Sequence, residues 1–232
     1  MIYERGNAGK QWILTELDRR FGHITCRILD LACGDGTKWK TFLPSHPDMT
    51  VVGIDTDAAA IGRGKAANAG LPNLELRVAD AQKPIEGTFD AVVAMSAIEH
   101  VVDREAFLKT VWDALTPGGV AYLNYDAGHF RSWDIKERIM VPVSQTLATV
   151  GYEKPYMKKV DDAVFRAKAE RQKFSVIALR KHNLYPLKGF MRNASDEALH
   201  DWFAYEDALN ARFAPEMLDR IMWSTTLVVQ KP

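Results

Sequence analysis

Ile28-Leu-Asp-Leu-Ala-Cys-Gly-Asp-Gly-Thr37 is a short apolar run that ends in a turn spaced by glycines. A run of this length, bounded by a Gly-rich turn, reads as a buried strand feeding a helix N-terminus. Glycines at 34 and 36 let the backbone turn tightly and approach a ligand with no Cβ in the way. The helix expected to start near Thr37 offers free N–H groups to an anion.

Outward from this stretch the same alternation repeats. An amphipathic helix is expected over residues 9–21, before the strand Arg27–Leu31. Further apolar runs at Thr50–Ile54, Leu74–Val78, Phe89–Met95 and Val120–Tyr125 read as strands. Between them lie a helix with Asp57 as N-cap stopping at Gly70, and a helix over 103–115 with Phe107, Leu108, Val111, Trp112 and Leu115 on one face. A helix over 163–182, a strand over 184–193, a helix opening at Ser195 and a strand over 222–230 complete the reading. Short strands alternating with helices predict parallel β-α-β units and hence an α/β, doubly wound sheet. No repeat, low-complexity tract or linker divides the chain, so residues 1–232 are expected to form one domain. Residues 126–170, where the regularity lapses, are expected to form a lid. Phe130, Trp133, Ile135, Ile139, Met140, Tyr152, Tyr156 and Met157 could wall a substrate pocket within it.

In such sheets ligands bind beyond the carboxyl ends of the strands. There Asp55 stands 19 positions past Gly36, followed by Thr56. A carboxylate in that place can accept both hydroxyls of a ribose. Asp80 and Ala81 follow the third strand and suit an exocyclic amine, and Met95 after the fourth can lie against a purine face. A dinucleotide fingerprint would need a third glycine where Trp39 stands, and no P-loop sequence occurs. The pattern therefore suits a nucleoside with a short zwitterionic tail.

Thirty basic and thirty acidic side chains cancel, so no basic excess points to nucleic acid. No apolar run reaches the roughly 20 residues of a membrane span, and no signal-peptide core is seen at the N-terminus. The two cysteines, Cys26 and Cys33, form neither a zinc pattern nor a disulfide framework. A cytoplasmic location is the default expectation.

Residues 28–37 resemble the glycine-rich first motif of class I S-adenosylmethionine (SAM)-dependent methyltransferases, with Ala32 in place of the first glycine. Val51–Asp55 resembles the family's acidic ribose motif, Val78–Ala81 its adenine motif, Phe89–His100 its fourth motif and Leu115–Tyr122 the motif after it. The resemblance implies SAM as cofactor and a three-layer, Rossmann-like, seven-stranded sheet with strand seven antiparallel, its helical lid inserted after strand five. It implies that Gly34 and Gly36 pass the methionine moiety, Asp30 its amino group, Asp55 the ribose, and Asp80 with Ala81 the adenine. Ser96-Ala-Ile-Glu-His100 is similar to the E-x-x-E-H stretch of ubiquinone-pathway O-methyltransferases and small-RNA 2′-O-methyltransferases, with Ser96 in place of the first glutamate. One carboxylate and one imidazole are a thin ligand set, so no metal is expected.

Methyl transfer from a sulfonium needs alignment, and a base only when the acceptor is a hydroxyl or protonated amine. Of six histidines, His100 after strand four and His129 after strand five flank the expected cofactor mouth, with Tyr125 and Asp126 as further candidates. His23 and His46 read as surface residues, Cys33 as a small filler, and Tyr3-Glu-Arg5 as an arm that can fold over the cofactor. The reading is methyl transfer to an oxygen or nitrogen of a small metabolite, with no nucleic-acid or membrane partner and a homodimer left open. Its competitors are a non-catalytic SAM-binding partner subunit and a nicotinamide-dependent oxidoreductase.

Overall fold

The computed structural model describes residues 1–131, 135–153 and 155–232, with side chains except at 129 and 135–137. Seven strands form one sheet in the order β3-β2-β1-β4-β5-β7-β6. These are β1 (Cys26–Leu31), β2 (Met49–Asp55), β3 (Leu74–Val78), β4 (Phe89–Ala94), β5 (Leu115–Asp126), β6 (Ser175–Leu184) and β7 (Met222–Gln230). The first five pair in parallel, while β7 runs antiparallel between β5 and β6. The crossover from β1 to β4 puts a topological switch point at their carboxyl ends, where such sheets hold ligands.

The helices are α1 (Ala8–Phe21), α2 (Ala58–Ala67), α3 (Arg104–Ala114), α4 (Ile135–Thr149), α5 (Asp162–Arg171), the short α6 (Leu187–Phe190), α7 (Asp196–Arg212) and α8 (Pro215–Leu218). Their starts follow from side-chain oxygens that accept otherwise unpaired N–H groups. Asp57 accepts from Ala59 and Ala60, Asp103 from Glu105 and Ala106, and Ser195 from Ala198.

Strand alternation divides the core in two. Leu29, Val92 and Leu123 face one layer, against Phe107 and Val111 of α3 and Phe165 of α5. Ile28, Val93 and Tyr122 face the other, against Ile13, Leu14 and Leu17 of α1 and the rings of Trp39 and Phe42.

Three sequence expectations are corrected. The helix expected over 163–182 stops at Arg171: Lys173 takes φ +72° and Phe174 closes the turn, so the chain extends from Ser175 as β6. Residues 184–193 form no strand beyond Leu184, because Pro186 has no N–H for a ladder. The segment runs instead through α6 and a 3₁₀ turn over Met191–Asn193. His46 is not a surface residue. It is 5% exposed and stacks on Phe42 at 4.1 Å between ring centres, with Nε2 3.0 Å from Asp18 Oδ1.

α4 and α5 lie between β5 and β6, where the lid was expected. No helix of the described residues is long and apolar enough to cross a membrane.

Candidate functional site

A cleft of about 1100 Å³ opens at the carboxyl ends of β1, β2, β3 and β4. Its floor is the turn after β1. Ala32, Gly34 and Gly36 take φ of +57°, +63° and +67°, a left-handed path that glycine enters freely and alanine only at a cost. A Cβ on Gly36 would sit 3.0 Å from Leu76, whereas the Cα of Gly34 faces open space in the cleft.

Asp55 fixes this turn. Its Oδ2 accepts the Gly34 N–H at 2.8 Å and its Oδ1 the Asp57 N–H at 2.8 Å. Each carboxylate oxygen keeps lone-pair capacity for a further donor. Thr56 lies beside it on the lining. Asp80 Oδ1 accepts the Gln82 N–H at 2.9 Å, and Asp80, Ala81 and Met95 all line the cleft.

Asp30 lies beneath this floor, 0% exposed. Its Oδ2 accepts the Trp39 indole N–H at 2.7 Å and sits 3.4 Å from Lys38 Nζ, while Oδ1 has no partner. The indole at 39 points into the core and leaves the cleft open. A buried carboxylate oxygen without a donor is a costly feature that a cationic group would satisfy. Gly36 likewise shapes the turn from outside the lining. Cys33 lines the cleft, but burial pushes its thiol far above the ordinary range, so it stays protonated.

On the opposite wall Ser96 N–H donates to Asn124 Oδ1 at 3.0 Å. The Asn124 amide in turn donates to Ser224 Oγ, the Thr225 carbonyl and Thr226 Oγ1 on β7. His100 lines the cleft and is exposed. Its Nδ1 lies 3.1 Å from the Tyr156 carbonyl, which can only accept, so Nδ1 donates there. Neighbouring Glu99 is buried, and its carboxyl is pushed up to about 7, chiefly by burial and also by the charge of Asp126.

Tyr125 is corrected as a candidate base. It faces a separate cavity of about 480 Å³ on the other side of the sheet and donates to Asp162 Oδ1 at 2.8 Å. Burial first, then Asp162, holds its phenol well above its ordinary value. The side chain of His129 lies outside the described residues, as do Trp133 and the side chain of Ile135. Of the other residues expected to wall a pocket, Tyr152 lines the cleft, whereas Ile139 and Met140 are exposed. Among the described residues no group of three or more His, Cys, Asp or Glu is placed to hold a metal ion.

The sequence reading missed Lys10 and Lys38, which both line the cleft. The N-terminal arm also reaches it. Tyr3 and Glu4 line the rim, their N–H groups gathered by Gln11 Oε1 at 2.7 and 2.8 Å. Arg5 is tied to Asp196 at 2.6 Å and to the Ala194 carbonyl at 2.6 Å.

The sheet order, the glycine turn and the acids at successive strand ends define a Rossmann-like methyltransferase fold. Residues 29–121 match the family model of a methyltransferase domain. The chain is 33% identical over 103 residues to a trans-aconitate 2-methyltransferase of Deinococcus radiodurans, across 44% of this chain and 39% of that protein. It is 36% identical over 105 residues to a ubiquinone biosynthesis O-methyltransferase of Rhizobium rhizogenes, across 42% of this chain and 40% of that one. The chain thus spans less than half the length of these curated relatives. The crystal structure of a SAM-dependent methyltransferase from Mesorhizobium loti superposes with a TM-score of 0.61 at 19% identity, covering 96% of this chain and 97% of that one. Residues 29–121 are thus similar to a methyltransferase domain, and the fold around them is that of SAM-dependent methyltransferases.

Proposed function

We propose that the protein transfers a methyl group from SAM to an oxygen or nitrogen of a small metabolite. The observation that carries this reading is the juxtaposition, in one cleft, of Gly34, Asp55, Asp80 and Met95, each at or just past the end of a different strand. The donor set fits the cofactor. Asp55 keeps acceptor capacity for a ribose diol, Asp80 with Ala81 and Met95 for an adenine, and the unpartnered Asp30 Oδ1 calls for a cation.

When bound, SAM supplies an electrophilic methyl on a good leaving group. The chain's own part is to orient and to move a proton. The turn 32–36, tethered by Asp55, holds the nucleoside in place. His100, which lines the cleft, is the side chain assigned to take the proton of a hydroxyl or ammonium nucleophile. Tyr152 and Glu153 close the cleft from the segment after α4 and limit water at the mouth.

Incubation of the purified protein with methyl-labelled SAM and a small-molecule extract tests the reading. Label is expected in one or a few metabolites. SAM binding without any transfer would favour a non-catalytic SAM-binding subunit instead, and binding of NADH in place of SAM an oxidoreductase.

A further inference from the structure

Tyr3 lines the cleft, but its hydroxyl serves a cluster that does not. The hydroxyl donates to Asp18 Oδ2 at 2.8 Å, and the other oxygen of that carboxylate, Oδ1, lies 3.0 Å from His46 Nε2. The second ring nitrogen, Nδ1, lies 2.8 Å from the Phe42 carbonyl. The His46 ring is buried and stacked on Phe42 with 15° between ring planes, and its centre lies 6.2 Å from that of Tyr3.

Both nitrogens of this imidazole therefore face oxygens that only accept. The Phe42 carbonyl has no proton to give. The Asp18 carboxyl is held below its ordinary range, first by the hydrogen bond from His46 and against the effect of burial, so it is ionised. A neutral imidazole has one N–H and one lone pair. Whichever nitrogen lost its proton, its lone pair would meet an oxygen lone pair in a buried site. The geometry calls for the doubly protonated ring. Histidine is the side chain suited to lose such a charge near neutral pH.

Among the described residues, α1 turns Asp18 to the ring, and the arm turns Tyr3, whose phenol is held above its ordinary range by burial and then by Asp18. The turn before β3 brings the neutral Asn73, whose amide donates to the His46 carbonyl at 3.2 Å. The Met1 amino group adds a weaker attraction to Asp18.

What the cluster holds is the rim itself. The Tyr3 carbonyl accepts from Thr41 Oγ1 at 2.9 Å, and Thr41 lines the cleft too. The Tyr3 ring meets the Phe42 ring edge-on at 4.9 Å between centres. The chain then continues as Glu4, also on the lining. We infer that His46 and Asp18 are positioning residues of the cofactor cleft. With the ring protonated they clasp Tyr3 and hold residues 3 and 4 along the rim, and loss of that proton lets the arm slacken. The clasp stands on this geometry, and its effect on the cofactor rests on the methyltransferase reading above.

Amide hydrogen exchange of the whole chain, read by mass spectrometry as protection factors at pH 6 and pH 8.5, follows the peptide over residues 1–8. In the wild type its protection should fall about tenfold at the higher pH while that of β4 and β5 holds. The S-adenosylhomocysteine dissociation constant, from calorimetry, should rise about threefold or more over the same interval. Tyr3→Phe keeps the ring packing and cuts the link to Asp18. Its arm should show the lower protection at both pH values, and the pH dependence of both readouts should disappear. His46→Gln should do the same, and Tyr3→Phe carries the test should that buried change unfold the chain. Arm protection equal at the two pH values, or lost equally throughout the sheet, would make His46 a packing residue and overturn the proposal. So would a Tyr3→Phe protein that keeps the full pH dependence, or the wild-type dissociation constant at pH 6. S-adenosylhomocysteine that bound at neither pH would instead undo the methyltransferase reading, and the exchange data would still decide the clasp.

Discussion

The Trp39 indole N–H donates to Asp30 Oδ2 at 2.7 Å across a fully buried boundary between the core and the cleft floor. The bulky side chain that breaks a dinucleotide fingerprint is the group that holds the first strand-end acid in place. Trp39→Phe removes the donor and leaves a buried carboxylate with only Lys38 nearby. A loss of about 1.5–3 kcal/mol in unfolding free energy is expected, the range for a hydrogen bond to a charged group. Adding Asp30→Asn should cost less than the sum of the two single changes, because the uncompensated charge is then gone. Urea unfolding of the four proteins checks both statements.

Asp55→Ala should weaken SAM binding at least tenfold. The change removes the acceptor for the sugar and also frees the Gly34 N–H that shapes the turn. Asp55→Asn keeps one carbonyl acceptor and should fall between the two. Calorimetry on all three proteins gives the order, and equal affinity across the set would dismiss the ribose role.

His100→Ala should lower turnover by about 10²-fold or more, the usual share of a positioned base, while the SAM dissociation constant stays within about twofold. A variant that keeps wild-type turnover would place the base elsewhere.

Tyr125→Phe removes the hydroxyl that donates to Asp162 and is expected to cost about 1 kcal/mol of stability. Because the ring faces the other side of the sheet, turnover should be unchanged. A hundredfold loss with intact folding would restore Tyr125 as a candidate base.

Glu99 and Glu206 are both pushed up to about 7 from the ordinary 4.5, with burial as the largest cause. The folded state therefore keeps protons that the unfolded chain releases between about 4.5 and 7. By linkage, the stability these two groups contribute is fully present below about 4.5 and is lost as pH rises through about 7. Glu99→Gln should roughly halve the part of this slope that the two share. Urea midpoints at pH 5 and pH 8 measure it; an unchanged difference would mean that Glu99 is ionised in the folded state throughout.

The sheet and the strand-end acids were legible because both are local. Asp30, Asp55 and Asp80 each follow an apolar run, and the positions of Asp57, Asp103 and Ser195 mark helix starts by their chemistry. What was not legible depends on tertiary packing. Lys10 on an amphipathic helix reads as a solvated face until Gly9 is seen to press that turn onto Asn124. His46 gives no signal of burial, since its partner Asp18 lies 28 residues away. Tyr125 was within reach: side chains alternate along a strand, so Asn124 behind Ser96 puts its neighbour on the far face.

The hydrogen bonds of the Asn124 side chain tie the exit of β4 to the penultimate strand of the sheet. That strand lies far from Ser96 in sequence, so the cleft wall near Ser96 is finished only when Met222–Gln230 has docked beside β5. A chain lacking Met222–Gln230 would leave the Asn124 amide without its acceptors behind Ser96. A strand remote in sequence is thus a foundation of this cleft, not an ornament at its border.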